Sequence, residues 1–188
     1  MADVIMFGNH KTTISKTASD TLQLNGFPSV AYRVYENLWI GNAPQIGSPL
    51  SRYFGALILC AEEYQLHQDL FGSGIQVIGA PLHDNYDFMS RADMEVAVRA
   101  GGCTARLLRE GRSVLVTCMA GRNRSGLICA LALCVGPARM DQDEAVFTVR
   151  SARGPEALQN PHFLAFLKSY IGHLNSVSSS TELSLQNL

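Results

Sequence analysis

The most constraining stretch is Ser113-Val-Leu-Val-Thr-Cys118-Met-Ala-Gly-Arg-Asn-Arg124-Ser-Gly, which runs into Leu127-Ile-Cys-Ala-Leu-Ala-Leu-Cys-Val135. Ser113 to Thr117 reads as a short buried strand, and Arg124 to Val135 as a helix apolar on nearly every face. A tight loop between them would turn several backbone N–H groups inward, and the helix behind it would aim its N-terminal dipole at the same point. Such a loop is an anion cradle. Arg124 adds a planar, permanently charged fork suited to phosphate oxygens. Cationic surroundings at a helix N-terminus favour the thiolate of a cysteine at the floor. Cys118 is therefore a candidate nucleophile, aimed at the phosphorus of a bound phosphate.

The spacing alone is not the signal, because Cys103 and Arg109 are separated by the same interval. Thr104-Ala-Arg-Leu-Leu108 between them contains no glycine and reads as helix interior, which has no free N–H groups to offer. Cys118 differs in the strand before it, Gly121 within the loop, and Ser125 with an apolar helix after it. The competing bland reading is a structural buried cysteine with a solvated arginine pair nearby.

This loop resembles the signature loop of cysteine-dependent protein phosphatases, and most closely that of the dual specificity phosphatases. Further segments extend the resemblance over roughly residues 33–174 in the expected order. Val34-Tyr-Glu-Asn-Leu-Trp-Ile-Gly-Asn-Ala43 is similar to that family's opening hairpin. Ala80-Pro-Leu-His-Asp84 is similar to its general-acid segment. Val149-Arg-Ser-Ala-Arg153 and Asn160-Pro-His-Phe163 are similar to its C-terminal helices.

The resemblance implies a single α/β domain of dual-specificity/tyrosine phosphatase type, with a central, mostly parallel sheet flanked by helices. It implies a catalytic set of Cys118, Arg124, Asp84 and Ser125, and a phosphate cradle built from Met119, Ala120, Gly121, Arg122, Asn123 and Arg124. Cys118 would attack phosphorus while Asp84 protonates the departing oxygen. Asp84 would then activate water against the cysteinyl-phosphate, and Ser125 would donate a hydrogen bond to the leaving sulfur. Asp87 is a second candidate acid in the same loop. The reaction needs no metal or other cofactor, and the five histidines are scattered, as expected of structural or solvated residues. His83 reads as a surface or packing residue. Leu59-Cys60-Ala-Glu62 resembles the strand end that, in a lipid-phosphatase relative, holds a partner cysteine for the nucleophile, so Cys60 is a candidate redox partner. One position departs from the family pattern: Thr117 stands where histidine usually precedes the cysteine, offering a hydroxyl and no charge.

The rest of the chain bounds this reading. The 188 residues suit one domain, and at 47% hydrophobic they can bury a sizeable core. A net charge of −1 gives no global attraction to nucleic acid or membranes, so any phosphate attraction must be local. No stretch has the length and apolarity of a membrane span, no secretory signal is visible, and five irregularly spaced cysteines fit a reducing cytoplasm, with the nucleus an alternative. Residues 1–29 read as an N-terminal arm, 30–174 as the catalytic domain, and 175–188 as a mobile serine-rich tail.

Within the domain, Glu36-Asn37 is predicted to turn a hairpin, with Trp39 packed against a helix. Tyr53 to Cys60 and Ile75 to Ala80 read as strands covered on both faces. Ser90 is predicted to cap a helix through Arg109 whose buried face is Met94, Ala97, Val98, Gly101, Ala105 and Leu108. Asp141 is predicted to cap the next helix, and Asn160-Pro161 to start the last.

Phosphoproteins are the expected substrates, on tyrosine and on serine or threonine, because so compact a chain leaves little room for insertions that deepen a pocket. Gly121-Arg-Asn-Arg-Ser-Gly126 is also similar to loops of relatives that act on phosphoinositides or RNA 5′-phosphates. A phosphate-binding protein with little catalysis is the third reading. Oligomeric state is not legible.

Overall fold

The structure, a computed structural model, describes residues 4–7, 10–13, 21–23 and 30–185. Its centre is a six-stranded mixed sheet in the order β3-β4-β5-β8-β6-β7. The strands are β3 Thr21–Gln23, β4 Val30–Tyr35, β5 Leu38–Gly41, β6 Ala56–Ala61, β7 Gln76–Leu82 and β8 Val114–Thr117. β5, β8, β6 and β7 run parallel, while β3, β4 and β5 are joined antiparallel. A separate ribbon pairs β1 Val4–Phe7 with β2 His10–Thr13. The predicted hairpin is present, with Tyr35 opposite Leu38 and Glu36 supplying the positive φ, 34°, that the turn requires.

The continuous apolar runs resolve into two faces of period two. Leu38, Ile40, Ile58, Cys60, Val114 and Val116 face a large core shared with the four helices α1 Arg91–Arg109, α2 Asn123–Val135, α3 Gln142–Arg153 and α4 Pro161–Leu185. Leu57, Leu59 and Leu115 face a smaller core, closed by Leu50 and Phe71 from two short 3-10 turns. α2 is the central helix. Every side chain from Asn123 to Leu133 is buried, and Gly101 of α1 lets it pack closely, since a Cβ at Gly101 would lie 2.6 Å from the Leu131 Cβ.

Several expectations need correction. Trp39 packs on the smaller core, edge-on to Phe54 at 5.8 Å between ring centres, because alternation along β5 turns it away from the helices. β6 begins at Ala56 rather than at Tyr53, and β7, the edge strand of the described sheet, is exposed or half-buried from Gln76 to Gly79 rather than covered on both faces. The buried face of α1 is Asp93, Ala97, Ala100, Gly101, Thr104, Ala105 and Leu107. Met94, Val98 and Leu108 flank that face, because Asp93 is drawn inward by a polar partner (described below). Part of the expected arm belongs to the sheet, where Thr21–Gln23 adds an edge strand to β4; residues 1–3, 8–9, 14–20 and 24–29 lie outside the described residues. The expected tail is helical through Leu185. Residues 175–185 contain no Gly or Pro and extend a helix already nucleated, so each added residue gains a hydrogen bond without a new nucleus.

No described helix is long and apolar enough to cross a membrane. The caps at Ser90 and Asp141 form as predicted, accepting from the Asp93 and Glu144 amides respectively.

Candidate active site

The Cys118 loop leaves the C-terminal end of β8 at the middle of the sheet. Thr117 is buried, its hydroxyl donating to the Ile58 carbonyl at 3.2 Å, so the residue before the cysteine ties β8 to β6. The loop is then bound to the end of β5. The Cys118 amide donates to the Gly41 carbonyl at 3.4 Å, and the Ala43 amide to the Met119 carbonyl at 3.3 Å. Gly121 closes the turn at φ 64°, and a Cβ there would sit 2.5 Å from the Gly41 carbonyl carbon, so only glycine fits. From the other side, Arg153 Nη2 donates to the Ala120 carbonyl at 2.9 Å, and the Leu158 amide donates to the Arg122 carbonyl at 3.3 Å. No side chain caps the start of α2, which leaves its first-turn amides without that partner.

Cys118 is 3% exposed, and its Sγ lies 3.3 Å from Ser125 Oγ. Arg124 is buried, and Glu63 grips it in a fork, Nη1 to Oε2 at 2.5 Å and Nη2 to Oε1 at 2.8 Å. Nη1 also donates to the Leu82 carbonyl at 3.2 Å, whereas the buried Nε has no partner. Burial opposes the charge on Arg124, but the Glu63 fork outweighs it and holds the guanidinium more firmly protonated. The same hydrogen bonds hold the Glu63 carboxyl below its ordinary range.

The second loop, residues 83–89, follows β7 and lies over the first. Both Asp84 oxygens are occupied by amides: Asn123 Nδ2 donates to Oδ2 at 3.2 Å and Asn160 Nδ2 to Oδ1 at 3.0 Å. Asn160 is fully buried at the start of α4. It also donates to the Asn85 carbonyl at 2.9 Å and accepts from the His162 amide at 3.0 Å. Asn123 Nδ2 reaches the Tyr86 hydroxyl at 2.8 Å, while its Oδ1 accepts from the Gln159 amide at 2.9 Å. His162 Nε2 lies 3.0 Å from the Tyr86 carbonyl. His83 Nδ1 meets Asp93 Oδ1 at 3.0 Å, tethering the loop to α1, and its Nε2 is 3.6 Å from Glu62. The Asp93 hydrogen bond is the main cause of a raised His83 pKa. Burial works against the Asp93 charge, but the bonds from Ser90 and His83 prevail and keep its carboxyl low.

Cys118, Arg124, Ser125, Asn123 and Asp84 therefore converge. Asp87 is exposed, its amide bonded to Asn85 Oδ1 at 2.8 Å; the carboxylate bonded to the Cys118 loop is that of Asp84. Arg122 turns outward to Glu156, Nη1 to Oε2 at 2.8 Å. Met119 is half exposed. Cys60 is buried at the end of β6, one residue past the Leu59–Thr117 pair and so beside Cys118. Burial first, then the neighbouring Cys118 and Cys129 thiols, push its pKa well up.

Sequence reasoning missed Glu63 as the partner of Arg124 and Asn160 as the partner of Asp84. A carboxylate just past a strand end on the same sheet edge as Cys118 was a usable signal for Glu63. Asn160 was read only as a helix start. His83 and His162, expected to be structural or solvated, both hold the Asp84 loop.

The sequence matches the family described as dual specificity phosphatase, catalytic domain, over residues 38–172. The chain belongs to that family. Among solved structures it is similar to a mouse putative dual specificity phosphatase complexed with zinc tungstate, at 26% identity and TM-score 0.69, over 84% of this chain and 95% of that one. Human DUSP28 superposes with TM-score 0.66 at 24% identity, over 77% of this chain and 95% of its own. OH1 from the Orf virus, described as a tyrosine phosphatase with triple substrate specificity, has TM-score 0.57 at 21% identity, over 75% and 86%. A search among curated protein sequences finds no match.

Proposed function

We propose that the chain is a cysteine-dependent phosphatase of phosphate monoesters, acting on phosphotyrosine and on phosphoserine or phosphothreonine in proteins. The observation that carries this reading is the 3.3 Å contact between Cys118 Sγ and Ser125 Oγ at the floor of a loop whose arginine keeps a buried, unpartnered Nε. The amides of residues 119–124 and Arg124 hold the equatorial oxygens of the phosphoryl group, which is electrostatic preorganisation. Cys118 sulfur forms the new bond to phosphorus as the ester P–O bond breaks, and the leaving oxygen takes the Asp84 proton. Water then attacks the cysteinyl-phosphate, its proton passes to Asp84, and sulfur leaves with a hydrogen bond from Ser125. Asn123 and Asn160 fix where Asp84 stands. The test is turnover of a small aryl phosphate. Wild type should turn it over, Cys118→Ser should not, and Arg124→Lys should lose most activity, because a point charge cannot reproduce the fork. Full activity in either variant contradicts the assignment.

A phosphoinositide or an RNA 5′-phosphate is the alternative substrate. A panel of phosphopeptides, soluble phosphoinositides and triphosphorylated RNA separates them by kcat/KM.

Cys60 fits the role of redox partner. Neighbouring strands lie about 5 Å apart, within the span a disulfide bridges. Peroxide converts the Cys118 thiolate to sulfenic acid, and Cys60 sulfur displaces hydroxide from it to form the disulfide. Mass spectrometry after mild peroxide should find the Cys60–Cys118 cross-link, reversible by thiol. Sulfonic acid on Cys118 with Cys60 untouched would end the idea.

A further inference from the structure

We infer that Glu156 is a specificity residue that neutralises the loop's second cation, so that the site prefers a substrate with one phosphate and no second anion beside it. This inference rests on the phosphatase reading above. The arginines around the Cys118 loop are committed in different ways. Arg124 is held by Glu63 at the floor. Arg153 spends Nη2 on the Ala120 carbonyl and lays its guanidinium 4.7 Å over the Tyr32 ring. Arg122 is the one arginine within the loop whose side chain is about half exposed, and Glu156 meets it at 2.8 Å.

Glu156 is brought there by a built turn. The Gly154 amide caps α3 on the Arg150 carbonyl, and the Ala157 amide bonds back to the Gly154 carbonyl at 3.0 Å. Arg150 holds the Ala157 and Leu158 carbonyls at 3.1 and 2.9 Å, and both of those residues are fully buried. The next amides, of Leu158 and Gln159, bond to Arg122 O and Asn123 Oδ1 of the loop itself. The turn on either side of Glu156 is thus fastened to the loop that Glu156 screens.

Among the described residues, the side chains of the Asp84 loop offer no free cation to a second anion, since His83 is paired with Asp93 and Glu62. Tyr86 and Met119 are 55% and 45% exposed, and Glu62 stands at the base of the Asp84 loop beside His83. A phosphate at the loop floor meets Arg124 and the backbone amides. A second phosphate beside it would have to compete for Arg122 with the Glu156 carboxylate already paired to it. An exposed ion pair is weak, so the discrimination should be modest and sensitive to salt.

The experiment compares two peptides, one with a single phosphotyrosine among neutral residues and the same peptide with a phosphothreonine two residues away. Binding is measured at low salt in a Cys118→Ser background, so it does not depend on turnover. The unmodified turn should bind the singly phosphorylated peptide at least as tightly. Glu156→Gln should tighten the doubly phosphorylated peptide by roughly two- to fivefold and leave the other unchanged within about 1.5-fold. Glu156→Lys should do more, and pairing Glu156→Gln with Arg122→Gln should cancel the gain. Equal effects on both peptides, a gain that survives loss of Arg122, or tighter binding of the doubly phosphorylated peptide with Glu156 in place would each overturn the inference. Turnover of p-nitrophenyl phosphate by the wild type tests the parent reading separately: an enzyme that turns it over but fails the peptide comparison loses only the role of Glu156.

Discussion

The two loops that form the site are held in different ways. The Cys118 loop is held mainly through its backbone: it leans on Gly41 and Ala43, turns on Gly121, and its carbonyls accept from Ala43, Arg153 and Leu158. The Asp84 loop is held mainly by four side chains from three separate places, namely Asp93 on α1, Asn123 on α2, and Asn160 and His162 at the start of α4. A backbone-held loop presents its amides in one arrangement with or without a ligand. A side-chain-held loop can be retuned, or released, one residue at a time. The division suits the proposed chemistry, in which the oxyanion cradle is needed unchanged in both steps, while the acid must give up and regain a proton.

If that division is right, substitutions should separate the loops by kind of damage. The largest effect outside the nucleophile and Arg124 belongs to Asp84→Asn, which should lower kcat by roughly 10²–10⁴-fold, the usual worth of a general acid. The loss in kcat/KM, which reports the first step alone, should shrink for aryl phosphates whose leaving groups need no proton, while the loss in kcat persists because hydrolysis still needs the carboxylate. If Asp87→Asn shows that pattern instead, the acid is misassigned. Gly121→Ala comes next. Its Cβ would clash with Gly41, so it should cost about 1–3 kcal/mol of stability and, by displacing the loop, on the order of 10²-fold in activity on every phosphate ester alike. Thermal unfolding and a leaving-group series read both.

Asn160→Ala should be smaller and different in kind. It removes donors to Asp84 and to the Asn85 carbonyl, costing about 1–3 kcal/mol for a buried hydrogen-bonding group. Its kinetic loss should follow leaving-group pKa as the Asp84 loss does, which a purely structural defect would not reproduce. The smallest effect is at His83. Its folded-state pKa is raised, chiefly by Asp93, so the pair adds stability that is fully present below the ordinary histidine pKa of about 6.5. That stability is lost as pH rises through the raised folded value. The Tm difference between wild type and His83→Gln should be largest in mildly acidic buffer and fade on the alkaline side. A pH-independent difference would mean that the tether does not depend on charge.

The same contrast explains what could be read from the sequence. Cys118 to Ser125 is contiguous, and its strand, glycine and apolar helix are local signals, so loop, helix and catalytic candidates were all legible. The decoy pair was legible too: Cys103 and Arg109 lie within α1, where Arg109 bonds the Val135 carbonyl and offers no cradle. The Asp84 loop was legible only as far as Asp84 itself. Asn160 is 76 residues further along the chain and Glu63 is 61 residues before Arg124, and no local periodicity connects such pairs. The inward turn of Asp93 was missed for a related reason, since it depends on His83 from another element, whereas the Trp39 face was legible in the alternation with Leu38 and Ile40 and was overlooked. The Ser-rich run after Asn175 was misread because composition favoured a tail, while helix continuation costs little once α4 is established.

The most direct measurement concerns the central claim, that phosphorus passes through the Cys118 sulfur. An aryl phosphate with a good leaving group should phosphorylate Asp84→Asn rapidly, because no proton is needed to expel the phenol. Hydrolysis should then lag, because the carboxylate that activates water is gone. Acid quenching within the first turnover, followed by peptide mass spectrometry, should find the phosphoryl group on the peptide containing Cys118, with one equivalent of phenol released in the burst. Phosphate on any other residue, or steady turnover with no phosphoenzyme and no burst, would contradict the account.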